Sequence, residues 1–137
     1  MIVLVDDEKR EMDTYLRELR LSGYEVEFYQ DVDSALEFIK DNTEQVDVVI
    51  MDVMMPAGAA FEDIDTQEGL RTGIYFFETI REVSPNLPFI VLTNVSNARE
   101  AERFSSQTSC WFLRKENYRP FEFVEELATI LSTLRQA

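Results

Sequence analysis

Residues 46–52 read Val46-Asp47-Val48-Val49-Ile50-Met51-Asp52, and Val53-Met54-Met55-Pro56 follows. No other stretch of the chain is as hydrophobic, and it ends on a carboxylate. A strand buried on both faces reads as a near-continuous apolar run rather than as an alternation. In open parallel sheets, ligands bind just beyond the carboxyl ends of such strands. Asp52 is therefore expected to have its backbone anchored in a buried strand and its side chain at a solvent-reachable tip.

Working outward, the chain alternates strand-like and helix-like segments. Ile2 to Val5 is a short apolar run ended by Asp6-Asp7. From Lys9 to Leu21, Met12, Tyr15, Leu16 and Leu19 fall at the spacing of an amphipathic helix, which Ser22-Gly23 stops. Val26, Phe28 and Tyr29 mark a second strand. Asp31 can cap a helix striped by Val32, Ala35, Leu36 and Ile39. After the Val46–Met51 strand and a long loop, Gly73 to Arg81 reads as a third helix, ended before Pro85, and Phe89 to Leu92 as a fourth strand. Asn97 with Glu100 resembles a capping box for a sparsely apolar fourth helix through Phe104. Trp111-Phe112-Leu113 is a fifth strand. Pro120 opens a last helix striped by Phe121, Val124, Leu127, Ala128, Leu131 and Leu134. Five strands alternating with five helices imply an α/β fold, a doubly wound five-stranded parallel sheet of order 2-1-3-4-5. Residues 1–137 are expected to form a single domain, with no internal repeat or linker.

Composition narrows the chemistry. The 137 residues carry 27 acidic and 13 basic side chains, a formal net charge of −14, and no histidine. Such a surface repels phosphate backbones and anionic lipid, so neither direct nucleic-acid binding nor membrane binding is expected. The absence of His removes most metallohydrolase, triad and Cys–His schemes. A lone Cys110 forms no internal disulfide and fits a reducing, cytoplasmic setting. No basic leader or long apolar segment follows Met1.

In the 2-1-3-4-5 order, the tips of strands one, three, four and five converge on one edge. The residues there are Asp6 and Asp7, Asp52, Thr93 and Lys115. Each alone has a plain structural reading: a helix cap, a turn former, a hydroxyl satisfying local backbone, a solvated lysine. Their conjunction is more specific. Three carboxylates in one cleft repel unless a cation joins them, and an oxygen-only site suits Mg²⁺. Lys115 adds an ammonium and Thr93 a hydroxyl donor. The set reads as a phosphoryl-transfer site with Asp52 as the covalent acceptor.

On Ile2-Val3-Leu4-Val5-Asp6-Asp7-Glu8, Val48 through Pro56, Val91-Leu92-Thr93 and Phe112-Leu113-Arg114-Lys115, the chain resembles the receiver domain of two-component response regulators over almost its whole length. The resemblance implies the flavodoxin-like (αβ)5 receiver fold of the chemotaxis-regulator type. It makes Asp52 the phosphoacceptor, Asp7 a direct Mg²⁺ ligand, Asp6 a ligand through water and the Met54 backbone carbonyl a further ligand. Thr93 and Lys115 would hold phosphoryl oxygens, and Phe112 matches the aromatic whose rotation accompanies movement of Thr93.

The sequence departs from that family in four places. Gly73, which opens the third helix, comes 21 residues after Asp52. Roughly a dozen residues within 57–72 are thus extra, beyond the usual connection length, and read as a surface excursion or as a partner-docking lid. The proline usual after the lysine is replaced by Glu116, and Pro120 arrives late. A cis bond before Glu116 would cost about 2.5–4 kcal/mol, so the junction is expected to be trans or strained; Arg119 is a weaker rival to Lys115. Asn94 stands where small residues are usual. Met54 and Val95, two past Asp52 and Thr93, are apolar and cannot orient an attacking water, which predicts slow self-dephosphorylation.

The function implied is a phosphorylation-operated switch fed by a histidine kinase, a phosphotransfer protein or a small phosphodonor. Output is expected through a downstream protein partner, a homodimer or a domain outside these residues. Two other classes compete: a phosphohydrolase with an aspartate nucleophile, which would want an acid where Met54 stands, and an interaction module that keeps only the fold.

Overall fold

The computed structural model describes residues 1–52, 72–93 and 109–136, with the side chains of 72–74, 135 and 136 outside that description. The described elements run β1 (Ile2–Val5), α1 (Lys9–Leu21), β2 (Val26–Tyr29), α2 (Val32–Asp41), β3 (Val48–Met51), α3 (Thr72–Val83), β4 (Phe89–Thr93), β5 (Cys110–Arg114), a 3-10 turn (Lys115–Asn117) and α4 (Pro120–Gln136). All strand pairings are parallel, in the order β2-β1-β3-β4-β5 expected from the sequence. The expected helix between β4 and β5, from Asn97 to Phe104, lies outside the described residues, as do Met54, the insertion through residue 71, Asn94 and Val95.

Alternation along each strand builds two cores. Val3, Val5, Val49, Met51, Phe89 and Val91 face α2 and α3, where they meet Val32, Leu36, Ile39, Phe76 and Ile80. Ile2, Leu4, Val48, Ile50, Ile90 and Leu92 face α1 and α4, against Met12, Leu16, Leu19, Phe123 and Leu127. Both faces of the central strands are thus dry, which is why β1, β3 and β4 read as unbroken apolar runs.

Helix ends follow local chemistry. Asp31 caps α2 by accepting from the Ser34 backbone N–H at 2.7 Å. At the end of α1, Gly23 adopts φ +93, while the Gly23 and Tyr24 amides donate to the Arg20 and Leu19 carbonyls. That geometry closes the last turn and favours glycine.

Two expectations are corrected. The third strand begins at Val48 rather than Val46: the Val46 amide donates back to Asn42 in a turn, and the Asp47 amide donates to the Met1 carbonyl. The stripe of the last helix is also rotated. Phe123, Val124, Leu127 and Ile130 are buried and Leu131 and Leu134 pack beside them, whereas Phe121 is 50% exposed and Ala128 is exposed. Phe121 and Ala128 lie seven apart, on the flank of the same helix, just outside the contacting face.

Candidate functional site

Register places the site. Val5 pairs with Met51, so the residues after them, Asp6 and Asp52, come next on neighbouring strands. The sheet ladder grips both beyond the formal strand ends: the Asp6 amide donates to the Tyr29 carbonyl at 3.1 Å and the Asp52 amide to the Val5 carbonyl at 3.2 Å. Thr93 is the last residue of β4, and Lys115 directly follows β5. Asp6, Asp52 and Lys115 continue the alternation of Leu4, Ile50 and Leu113, which is the α1 side of the sheet. Thr93 continues the opposite parity.

The side chains meet. Thr93 Oγ1 donates to Asp52 Oδ1 at 2.6 Å. Lys115 Nζ donates to Asp52 Oδ2 at 3.2 Å and to Asp6 Oδ2 at 2.9 Å. The other Asp6 oxygen accepts from the Glu8 backbone N–H at 2.9 Å, fastening the start of α1 to the site. Asp6, Asp52, Thr93 and Lys115 are the buried polar side chains of the described residues, so polar burial is concentrated at this one edge. Both oxygens of Asp52 carry a donor: Thr93 from the end of β4 and Lys115 from the turn that directly follows β5.

Burial pushes the Asp6 carboxyl up to about 6, against the lowering effects of the Lys115 and Glu8 hydrogen bonds and the Lys115 charge; the Asp52 charge adds to the rise. For Lys115 burial acts downward, but the Asp6 hydrogen bond and the charges of Asp52, Asp6 and Glu11 outweigh it. The net direction is upward, so Lys115 remains an ammonium held among carboxylates.

Asp7 is half-buried beside Asp6. Among the described residues no three acidic or thiol side chains stand close enough to form a metal shell as they are; the Lys115 ammonium sits between Asp6 and Asp52 instead. The donors nevertheless fit a hard divalent cation in kind, being carboxylate oxygens in a chain with no histidine. Phe112 is half-buried and packs on the core shared with α2 and α3. Arg119 is exposed and outside the site; its amide donates to Glu122 Oε1 at the head of α4. The described peptide bonds, Lys115–Glu116 among them, are trans.

Sequence reasoning missed one member. Glu11 Oε1 lies 3.4 Å from Lys115 Nζ. As one of 27 acidic residues on a helix whose apolar stripe it does not join, Glu11 carries no distinguishing sequence signal except its spacing, four residues past Asp7.

Comparison with known proteins agrees with this fold. The family model described as "Response regulator receiver domain" matches residues 2–127. Response regulator MprA from Mycobacterium sp. (strain KMS) is 30% identical over 135 residues, covering 98% of this chain and 50% of that protein. The Mycobacterium leprae (strain TN) protein of the same name is 29% identical, with 98% and 51% covered. The chain thus spans about half the length of the curated relatives it matches. Among solved structures, a CheY-like response regulator receiver domain protein from Methanospirillum hungatei JF-1 superposes with a TM-score of 0.79 at 18% identity, covering 98% of this chain and 95% of that one. A receiver domain protein from Clostridium thermocellum gives 0.79 at 20% identity, with 98% and 96% covered. The beryllofluoride-activated NtrC4 receiver domain dimer gives 0.77 at 23%, with 96% of each covered. A five-stranded 2-1-3-4-5 sheet, a buried Asp-Thr-Lys cluster at its carboxyl edge and a family match over residues 2–127 lead to one assignment: the chain belongs to the response regulator receiver domain family.

Proposed function

We propose that this receiver domain is a phosphoacceptor switch in which Asp52 takes a phosphoryl group from a histidine kinase or phosphotransfer protein. The observation that carries the reading is the pairing of both Asp52 oxygens with donors at the ends of other strands, Thr93 Oγ1 of β4 at 2.6 Å and Lys115 Nζ, just past β5, at 3.2 Å. Donors already aimed at a carboxylate are also aimed at the negative charge that a phosphoryl group would bring there. In the transfer, an Asp52 carboxylate oxygen forms the new bond to phosphorus as the bond to the donor's imidazole nitrogen breaks; that nitrogen keeps the electron pair.

Asp6, Asp7 and Asp52, with the backbone carbonyl of Met54 outside the described residues, would hold Mg²⁺. Bound there, the ion would supply positive charge to offset that of the carboxylates and the incoming phosphoryl group. The rest falls to the protein. Lys115 follows the added negative charge while tethered to β5, and Thr93 turns its hydroxyl to a phosphoryl oxygen. Phe112, three residues before Lys115 on β5, refills the space that Thr93 vacates. The repacked face passes the signal to a protein partner or to a second copy of the chain.

We also read residues 1–137 as one domain with 57–72 as an insertion, working in a cytoplasmic setting and acting as a signalling module rather than a turnover enzyme. In support, no described helix is long and apolar enough to cross a membrane. The test is thermal melting with Mg²⁺ and beryllofluoride, a phosphoryl mimic. The wild-type melting temperature should rise while Asp52→Asn does not respond; a matching rise in Asp52→Asn would reject Asp52 as acceptor.

A further inference from the structure

Lys115 is caged more completely than the transfer itself requires. Its ammonium carries three N–H donors, and three carboxylates surround it: Asp6 at 2.9 Å, Asp52 at 3.2 Å and Glu11 at 3.4 Å. The Lys115 side chain is 4% exposed, whereas that of Glu11 is 39% exposed. An ammonium that deep has little water to fall back on, and a buried charge stripped of its partner is strongly unfavourable. Yet Asp6 and Asp52 are the carboxylates a divalent cation would claim, and two cations drawn to the same oxygens repel. Lys115 must then keep a counter-charge elsewhere. Among the described residues around it, Glu11 is the carboxylate left, on the solvent side where its own charge is cheap to maintain.

We propose that Glu11 is a positioning residue for Lys115, the carboxylate to which the ammonium moves when a divalent cation occupies Asp6 and Asp52. This inference rests on the phosphoacceptor reading and deepens it. The same face of α1 also holds the backbone that carries Lys115. Tyr15, one turn beyond Glu11, donates from its hydroxyl to the Tyr118 carbonyl at 3.1 Å, just past the 3-10 turn Lys115–Asn117. Through Glu11 and Tyr15, α1 ties down both the ammonium and the far end of its turn.

The experiment is an NMR titration with Mg²⁺ alone, following backbone amides near Asp6 and Lys115. Glu11→Gln should weaken Mg²⁺ binding about tenfold, the scale on which groups behind a metal's ligands act. Glu8→Gln, which removes an exposed carboxylate nearer in sequence to Asp6 than Glu11 but outside the ion pairs of Lys115, should weaken it far less. In a Lys115→Met background the penalty of Glu11→Gln should vanish, since its partner is gone. Wild-type affinity in Glu11→Gln, equal losses in the two glutamate variants, or the same loss with and without Lys115 would each overturn the proposal. If Lys115→Met does not fold, the comparison of the two glutamate variants still decides. Failure of the wild-type protein to bind Mg²⁺ would remove the phosphoacceptor reading together with this one; normal wild-type binding with an unaffected Glu11→Gln removes this one alone.

Discussion

Thr93 reaches from the end of β4 to Asp52 just past the end of β3, its Oγ1 donating to Asp52 Oδ1 across 2.6 Å in a buried contact. Thr93→Val keeps the shape and removes the donor. A hydrogen bond to a charged group is worth about 1.5–3 kcal/mol, and urea denaturation should show a loss of that order at pH 7. A valine variant as stable as wild type would mean that Asp52 is held without Thr93.

Lys115 pairs with Asp6 and Asp52 at once, so its removal leaves two buried carboxylates facing each other. Lys115→Met should destabilise the protein by roughly 3–5 kcal/mol at neutral pH, the usual penalty for breaking a buried pair from one side. The loss should shrink in acid, where a carboxyl already pushed up by burial takes a proton. A loss independent of pH would show that packing, not charge, is what Lys115 supplies.

How much of this was legible in the sequence depended on the kind of signal. β1, β3 and β4 announce themselves because burial on both faces leaves them apolar up to their carboxyl ends, where Asp6, Asp52 and Thr93 are the first polar residues. Lys115 is legible from its place just past the strand Trp111–Leu113, although Glu116 obscures the junction. Glu11 was not legible, since its role depends on the distance between a helix face and a strand end that are over a hundred residues apart in sequence. The buried face of α4 departs from the apolar stripe because Phe121 and Ala128 share a helical flank with true core positions, and hydrophobicity alone does not say which flank meets the sheet. The insertion and the helix expected from Asn97 remain expectations from the sequence.

Cys110 begins β5 at the opposite end of the sheet from the site, and burial pushes its thiol from 9.0 up to about 12, with Arg81 opposing weakly. Since the thiolate is the nucleophile, iodoacetamide at pH 8 should leave the native protein unmodified and alkylate it once in urea. The linkage has a definite sign. A group whose folded pKa is raised contributes stability in full below its unfolded value and loses it as pH climbs through the folded value. The stability of wild type relative to Cys110→Ala should therefore fall between pH 9.0 and about 12. Rapid native alkylation, or a difference that grows with pH, would contradict the burial of this thiol.

The central claim is that Asp52 accepts a phosphoryl group and keeps it long enough to act as a signal. Intact-mass measurement after incubation with acetyl phosphate and Mg²⁺ tests it most directly. A mass gain of one phosphoryl group, stable over the measurement, absent without Mg²⁺ and absent in Asp52→Asn, is the predicted result. Phosphate release with no adduct would mark the chain as a hydrolase instead, and neither adduct nor turnover would mark it as a receiver fold retained only for protein contacts.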